Sequence, residues 1–414
     1  MSANYSLPKE QIKVLLLEGV AQTAMDAFDA AGYRNVERLS TALDAEALKE
    51  KLQGVRMLGI RSRTRITEDV IRSVPRLIAV GCFSVGTNQV DLASACAAGM
   101  PVFNAPFSNT RSVAELTIAE IVMLYRGTFP KSLAAHQGRW MKTAKGSHEV
   151  RGKTLGIIGY GNIGSQLAMM AEAMGMEVIF HDHTDKLQHG LVRPTADLRD
   201  LLRRSDVVSL HLPETPATKG IIGAAEIRAM KPGAYLINNA RGTLVDLEAL
   251  AGALRDGHLA GAAVDVFPVE PGSNDDELVT PLRGLDNVIL TPHVGGSTYE
   301  AQQQIGAEVA RKLIEYSDVG STFGAVNFPQ VQLPVTEGVT RFLQVQRNLP
   351  GELQRLNEVF ARRELNITGQ HYRTDGEIGY VVLDAEGQVP DADDLVEEIR
   401  ALPGTVRARR LHSA

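Results

Sequence analysis

Three residues suited to oxidising a hydroxy acid each stand just beyond a short apolar run. Arg241 follows residues 234–237, Glu270 follows 262–266 and His293 follows 288–290. When hydride leaves a carbinol carbon, the hydroxyl proton needs a base, and an imidazole titrates close to working pH. Glu270 is suited to hold the second ring nitrogen of His293, which fixes the tautomer and favours the imidazolium that forms. Arg241 is suited to grip a substrate carboxylate through its planar fork and to polarise a carbonyl in the reverse direction. Singly, each has an ordinary explanation: a Pro-His turn, a solvated acid before Pro271, a surface charge beside Gly242. Their shared position argues otherwise, because ligands of an open parallel sheet bind past the carboxyl ends of its strands.

A second constellation points to a dinucleotide. Gly159-Tyr160-Gly161-Asn162-Ile163-Gly164 follows the apolar run 155–158 and opens an apolar helical pattern over 163–174. A glycine string alone is weak evidence, but between a strand and a helix each glycine has a task. Gly159 permits the tight turn, Gly161 lets the backbone approach a pyrophosphate, and Gly164 allows close helix–sheet packing. The helix start at Asn162 and Ile163 then offers free N–H groups and a positive dipole end. Asp182 ends the next strand, where an acid accepts hydrogen bonds from a ribose and repels a 2′-phosphate, so NAD is expected over NADP. His181, His183 and Lys186 weaken that exclusion slightly. Other expected cofactor contacts at the strand ends are His211, Pro213, Asn239, Ala240 and Asp265, the last read as lying within its strand. Gly295 and Gly296 complete that set, with a hinge role expected from their flexibility.

These residues need a scaffold, and the chain supplies its pattern. At 414 residues it is too long for one core. Short apolar runs at 14–17, 57–60, 77–80 and 102–103 alternate with helical patterns, one long one covering 112–125. A second series has runs at 155–158, 178–180, 207–210, 234–237, 262–266 and 288–290. Six strands with intervening helices predict a doubly wound parallel α/β sheet. A helix is expected over 297–317 and a loop over 318–334. The last ~80 residues read as a ferredoxin-like unit, with strands at 339–346, 366–374, 380–383 and 405–411 and helices at 351–363 and 392–401.

Composition excludes several partner classes. A net charge of −6 provides no broad basic field for nucleic acid or an anionic membrane. No apolar run reaches the roughly 20 residues of a membrane span. Two cysteines, Cys82 and Cys96, stand in no metal-ligand spacing and point to a reducing compartment. With a polar start from Met1 to Gln11, a cytoplasmic setting is expected.

The Gly159–Gly164 turn, Asn239-Ala240-Arg241-Gly242, Asp265-Val266-Phe267 with Glu270-Pro271, and Thr291-Pro292-His293 together resemble the D-isomer-specific 2-hydroxyacid dehydrogenase family. Phe103 to Ser112 and Gly295-Gly296-Ser297-Thr298 are similar to its phosphoglycerate-oxidising branch. The resemblance implies NAD-dependent oxidation of 3-phosphoglycerate to 3-phosphohydroxypyruvate, the first step of L-serine biosynthesis, with reduction of 2-oxoglutarate as a side activity. It implies a discontinuous flavodoxin-like substrate domain over 1–106 plus 297–334, a Rossmann NAD-binding domain over 107–296, and a homotetramer. Family positions matching Arg61, Ser62, Arg63 and Asn109 bind substrate, and one matching Lys142, beside Trp140, reaches a neighbouring subunit's site. Residues 337–414 resemble the ACT domain, an amino-acid-binding regulatory module. The family's serine effector site uses a histidine and two asparagines. Here Asn348 and Asn366 match the asparagines, but Gln346 replaces the histidine and cannot become cationic. Two alternatives remain at this point: another D-2-hydroxyacid dehydrogenase such as a glyoxylate or hydroxypyruvate reductase, and a dinucleotide-sensing binding protein.

Overall fold

A computed structural model describes residues 7–273 and 275–411. The chain divides into two compact units, Met1–Ser108 with Gln302–Ala414, and Asn109–Ala301.

The first unit holds two sheets. β1 (Lys13–Leu16), β2 (Asn35–Arg38), β3 (Val55–Ile60), β4 (Ala79–Cys82) and β5 (Val102–Phe103) form a parallel sheet in the order β2-β1-β3-β4-β5. That is a flavodoxin-like order. β3 and β4 are buried throughout, as strands covered on both faces must be. Two details depart from the sequence expectation. β2 is a polar edge strand that apolar runs do not reveal, and β4 lies two residues later than the expected 77–80. The shift has a local cause: the N–H of Leu77 closes a turn onto the Val74 carbonyl, so the ladder starts beyond it.

The second unit is built on β6 (Thr154–Ile158), β7 (Glu177–His181), β8 (Arg193–Pro194), β9 (Val207–Leu210), β10 (Ala234–Asn238), β11 (Leu259–Val264) and β12 (Val288–Leu290). All pair in parallel in the order β12-β11-β10-β9-β6-β7-β8. The strand order reverses between β6 and β9, where a dinucleotide crevice belongs. Seven strands stand where the sequence predicts six, the extra one being the exposed two-residue β8. β11 ends at Val264, so Asp265 lies just past the strand rather than within it. The helix Thr110–Arg126 packs Val113, Ala114, Ile118 and Ile121 inward and ends on Gly127, whose φ of 54° supplies the left-handed stop.

The C-terminal sheet, also in the first unit, comprises β13 (Val339–Arg347), β14 (Ile367–Asp375), β15 (Ile378–Glu386) and β16 (Thr405–Arg410). The strands are antiparallel in the order β14-β15-β13-β16, a ferredoxin-like arrangement. Helices Glu352–Arg362 and Ala392–Arg400 bury Leu356, Val359, Phe360, Leu395, Val396 and Ile399 with one face of the sheet. The other face shares a core with the helix Tyr299–Val319 and the strands before it, through Leu343, Val345, Tyr380, Val382 and Leu411. Buried polar groups complete the contact. Arg409 donates to the Tyr316 carbonyl at 2.7 Å and Tyr380 Oη to the Gly320 carbonyl at 2.6 Å. Arg341 forms a two-pronged pair with Asp384 at 2.6 and 2.7 Å.

Candidate active site

The catalytic candidates converge on the loop after β12. His293 Nδ1 lies 2.9 Å from Glu270 Oε2. That hydrogen bond leads the causes that raise the His293 pKa, with burial opposing it. For Glu270 burial pushes upward, but the bond and charge of His293 outweigh it, and the carboxyl lies below its ordinary value. Arg241 contributes to both shifts electrostatically, so all three candidates share one electrostatic neighbourhood. Arg241 is half-buried and steadied by its Nη1 bond to the Ala240 carbonyl at 2.7 Å. Because Nδ1 faces a carboxylate, neutral His293 carries its proton there, and the Nε2 lone pair is left to act as a base.

Asp265 holds this loop. Its Oδ1 accepts from Thr291 Oγ1 at 2.6 Å and from the Val294 N–H at 2.8 Å, while Oδ2 accepts from the Gly295 N–H at 2.8 Å. The His293 N–H reaches the Asp265 carbonyl at 2.8 Å. So tethered, His293 adopts a φ of 54°, uncommon for a side-chain-bearing residue and paid for by the surrounding bonds. Gly295 and Gly296 do not have positive φ. Their lack of a side chain serves close approach: a Cβ would come within 2.9 Å of Asp265 Oδ2 at Gly295, and within 2.2 Å of Asn109 Nδ2 at Gly296. Close packing thus gives each glycine a structural reason of its own. Asn109 heads the helix Thr110–Arg126 without a side-chain capping bond.

The glycine turn fits a pyrophosphate. Gly159 has a φ of 94°, and a Cβ there would come within 2.5 Å of the His211 carbonyl oxygen. At Gly164 a Cβ would meet the Gly159 carbonyl at 2.3 Å. At Gly161 nothing lies within 4 Å of the Cβ position, and Gly161 starts the helix Asn162–Ala173 without a side-chain cap. Open space faces free N–H groups at a helix end, the arrangement an anion requires. Replacing Gly161 with Ala should therefore leave the melting temperature unchanged but weaken NADH binding about tenfold, ~1.4 kcal/mol. Fluorescence titration of NADH checks this, and an unchanged affinity would count against the seat.

Asp182 lies against this turn. Its Oδ2 accepts the Tyr160 N–H at 2.9 Å, and Oδ1 accepts from the Thr184 N–H and hydroxyl at 3.1 and 3.0 Å. Burial would raise its pKa, but these bonds prevail and keep it ionised. Asp182→Ser should lower the ratio of NAD to NADP efficiency by at least about tenfold, as the repulsion of a 2′-phosphate is lost. Initial rates with both cofactors measure that ratio.

His211 Nε2 meets Ser209 Oγ at 2.9 Å while its buried Nδ1 lacks a protein partner. Desolvation lowers its pKa to about 4, so it stays neutral. Pro213 lies on the loop beyond and accepts from Thr218 Oγ1 at 2.7 Å. Asn239 turns its amide nitrogen inward, to Thr117 Oγ1 at 3.0 Å and Glu120 Oε2 at 2.6 Å, while its Oδ1 has no protein partner. Ala240 is buried beside it. Sequence reading missed Glu120. Burial lifts the pKa of this fully enclosed carboxyl to about 7, with the Asp265 charge adding to the effect and the Asn239 bond opposing it. Its only sequence signal is an acid on the buried face of an apolar helix.

In the first unit, Arg61 is half-buried and Ser62 and Arg63 are exposed beyond β3, on a loop whose backbone is clasped by the Glu18 carboxylate. Sequence reading missed that residue too. Lys142 and Trp140 are exposed.

The expected effector residues are not brought together within one chain. Gln346 and Asn348 lie at one end of the C-terminal sheet, where Gln346 pairs with Gly379 and the Asn348 amide donates to the Gly376 carbonyl at 3.0 Å. Asn366 stands at the other end, donating to Glu386 at 2.7 Å. Gln346 is fully buried with both amide atoms unpartnered. Asn348 borders an open depression with Leu349, Pro350 and Tyr372. Among the described residues, no cluster of His, Cys, Asp and Glu suits a metal ion, and no helix is long and apolar enough to cross a membrane.

Residues 118–295 match the D-isomer specific 2-hydroxyacid dehydrogenase, NAD binding domain, and residues 342–407 match an AHAS small subunit-like ACT domain. The chain is 54% identical to the D-3-phosphoglycerate dehydrogenase of Haemophilus influenzae, covering 100% of both proteins. It is 44% identical to that of Dictyostelium discoideum, again over 100% of both. Among solved structures, D-2-hydroxyisocaproate dehydrogenase is similar at a TM-score of 0.68 and 25% identity, over 76% of this chain and 100% of that one. An NAD-complexed D-isomer specific 2-hydroxyacid dehydrogenase from Lactobacillus delbrueckii ssp. bulgaricus gives 0.65 and 27%, over 76% and 100%. With the Arg241, Glu270 and His293 geometry, an NAD-type glycine turn and full-length relatives in agreement, this chain belongs to the D-isomer-specific 2-hydroxyacid dehydrogenase family, within its D-3-phosphoglycerate dehydrogenase group.

Proposed function

We propose that the protein oxidises D-3-phosphoglycerate to 3-phosphohydroxypyruvate with NAD, as the first step of L-serine synthesis in the cytoplasm. The observation that carries this reading is the His293–Glu270 pair at 2.9 Å, in a chain 54% identical over its full length to a D-3-phosphoglycerate dehydrogenase. Bound NAD supplies the acceptor for the hydride that leaves C2 of the substrate. His293 Nε2 takes the hydroxyl proton while Glu270 stabilises the imidazolium that results. Arg241 pairs with the carboxylate next to the reacting carbon, holding C2 in one orientation. Arg61 and Arg63 take the phosphate, with Ser62 and Asn109 as hydrogen-bonding partners and Lys142 as a further cation. Reduction of 2-oxoglutarate follows as a side reaction, since that acid also carries an anion at each end.

Serine binding at the C-terminal unit is the regulatory part of the proposal. Gln346 and Asn348 lie at one end of the sheet and Asn366 at the other, so a complete site needs a second copy of the chain. β14 is an edge strand and mostly exposed. Antiparallel pairing of two such edges about a two-fold axis would bring the opposite ends together and cover unpaired N–H and C=O groups. This supports a homo-oligomer, with a tetramer as the expected form.

The test is a substrate panel. Purified protein is mixed with NAD and 3-phosphoglycerate at alkaline pH with hydrazine to trap the keto acid, and NADH absorbance is followed. The highest kcat/KM is expected for 3-phosphoglycerate, with 2-oxoglutarate and glyoxylate reduction assayed in parallel with NADH. A preference for glyoxylate would move the assignment to the sister reductases. Added serine is expected to lower the rate, and an unchanged rate would remove the effector reading alone.

A further inference from the structure

Glu18 stands two residues beyond β1 and belongs to neither the catalytic nor the cofactor set. It is 9% exposed and has a φ of 61°, a left-handed backbone that glutamate rarely adopts. Its carboxylate accepts the N–H groups of four consecutive residues. Oε1 takes those of Arg61 and Thr64 at 3.2 and 2.9 Å, and Oε2 those of Ser62 and Arg63 at 3.0 and 2.9 Å. Arg61 Nη1 returns to the Glu18 carbonyl at 3.4 Å, and Gln89 Nε2 holds the Arg61 carbonyl at 2.5 Å. Burial alone would raise the Glu18 pKa, yet the N–H bonds from Thr64 and Arg63 outweigh it and keep the group ionised.

Converging backbone N–H groups make an anion-binding nest. Here the nest is filled by the chain's own carboxylate. Two consequences follow from that occupancy. The backbone of residues 61–64 is already committed, so a substrate anion must be met by the arginine side chains. The points from which both guanidinium groups start are fixed by a residue 43 positions or more away in sequence. We infer that Glu18 is a positioning residue for the anion-binding loop, acting through Arg61 and Arg63 on substrate affinity rather than on the chemical step. This rests on the reading that these arginines bind the substrate phosphate.

Glu18→Gln tests it. The amide keeps the shape but puts an NH₂ group against backbone N–H donors, so the four bonds cannot all persist. The KM for 3-phosphoglycerate should rise by at least about tenfold, with kcat and the KM for NAD held within about twofold. A purely structural role would instead lower the melting temperature and the fraction of active protein without separating the two KM values. Glu18→Asp, which keeps the charge on a shorter arm, should give an intermediate KM and decides the matter if the glutamine variant does not fold. Arg61→Ala and Arg63→Ala are measured beside them. A normal substrate KM in the Glu18 variants, with raised values in the arginine variants, would overturn the positioning role and leave the substrate reading intact. Normal values in all of them would overturn both.

Discussion

Replacing His293 is expected to lower kcat for oxidation by on the order of 10²–10⁴-fold, the usual contribution of a positioned general base. NADH binding should stay within about twofold, because the pyrophosphate seat at Gly161 lies at a different strand end. The choice of replacement matters. His293 has a φ of 54°, a conformation that asparagine tolerates better than most residues. His293→Asn should therefore keep the loop that Asp265 ties down through the Val294 and Gly295 N–H groups, while removing the base. His293→Ala removes the same base with more disturbance of the backbone. Equal losses of kcat in both variants, with NADH affinity preserved, identify proton transfer as what was lost. A kcat within tenfold of the parent would remove His293 from the mechanism.

Glu270→Gln should have the next largest effect, about 10²-fold on kcat, together with a change of pH profile. The sign follows from the His293 shift. Glu270 raises the pKa of the imidazole, so oxidation, which needs the neutral ring, is lost as pH falls through that raised value. Without the carboxylate, burial and the Arg241 charge oppose the charged ring with only the Asp265 charge favouring it, and the pKa drops from its raised value. The acid limb of kcat/KM for oxidation should therefore move to lower pH. The reverse reduction needs the imidazolium and is lost as pH rises, so its alkaline limb should move the same way. The variant is thus slower yet active at more acid pH. Profiles of kcat/KM in both directions measure this, and an unmoved limb would mean that the observed ionisation belongs to another group.

Much of the scaffold was legible because its strands are covered on both faces. The runs at 155–158, 207–210 and 288–290 coincide with β6, β9 and β12 to within a residue. The failures have physical causes. β2 carries Asn35, Glu37 and Arg38 on an edge, and β8 is Arg193-Pro194, so neither shows an apolar run. β4 continues through Gly81, which has to be small because a Cβ would come within 2.7 Å of Val309 and 2.8 Å of Leu313. Glycine in that place interrupts the hydrophobic pattern without interrupting the strand.

The site divides in the same way. The pairing of Glu270 with His293, and Arg241 in their electrostatic neighbourhood, were readable because each residue follows a clear strand, and strand ends are where an open sheet binds ligands. The residues that hold the surrounding loops in place were harder to see. Glu18 acts on backbone N–H groups of residues 61–64, and no side-chain pattern records that partnership. Glu120 meets Asn239 119 residues away across two elements, and Asp265 clasps the catalytic loop after its strand has ended. Asn366 presents a different case, since family resemblance pairs it with Asn348 while the strand register sets the two at opposite ends of the sheet within one chain.

Transfer of the C2 hydrogen tests the central claim most directly. D-3-phosphoglycerate carrying deuterium at C2 is oxidised with unlabelled NAD, and the reduced dinucleotide is analysed by mass spectrometry, with His293→Asn as the control. One deuterium per molecule of NADH formed, and a rate reduced at least about 10²-fold in the control, is the predicted result. NADH without deuterium, or undiminished transfer in the control, would contradict the account.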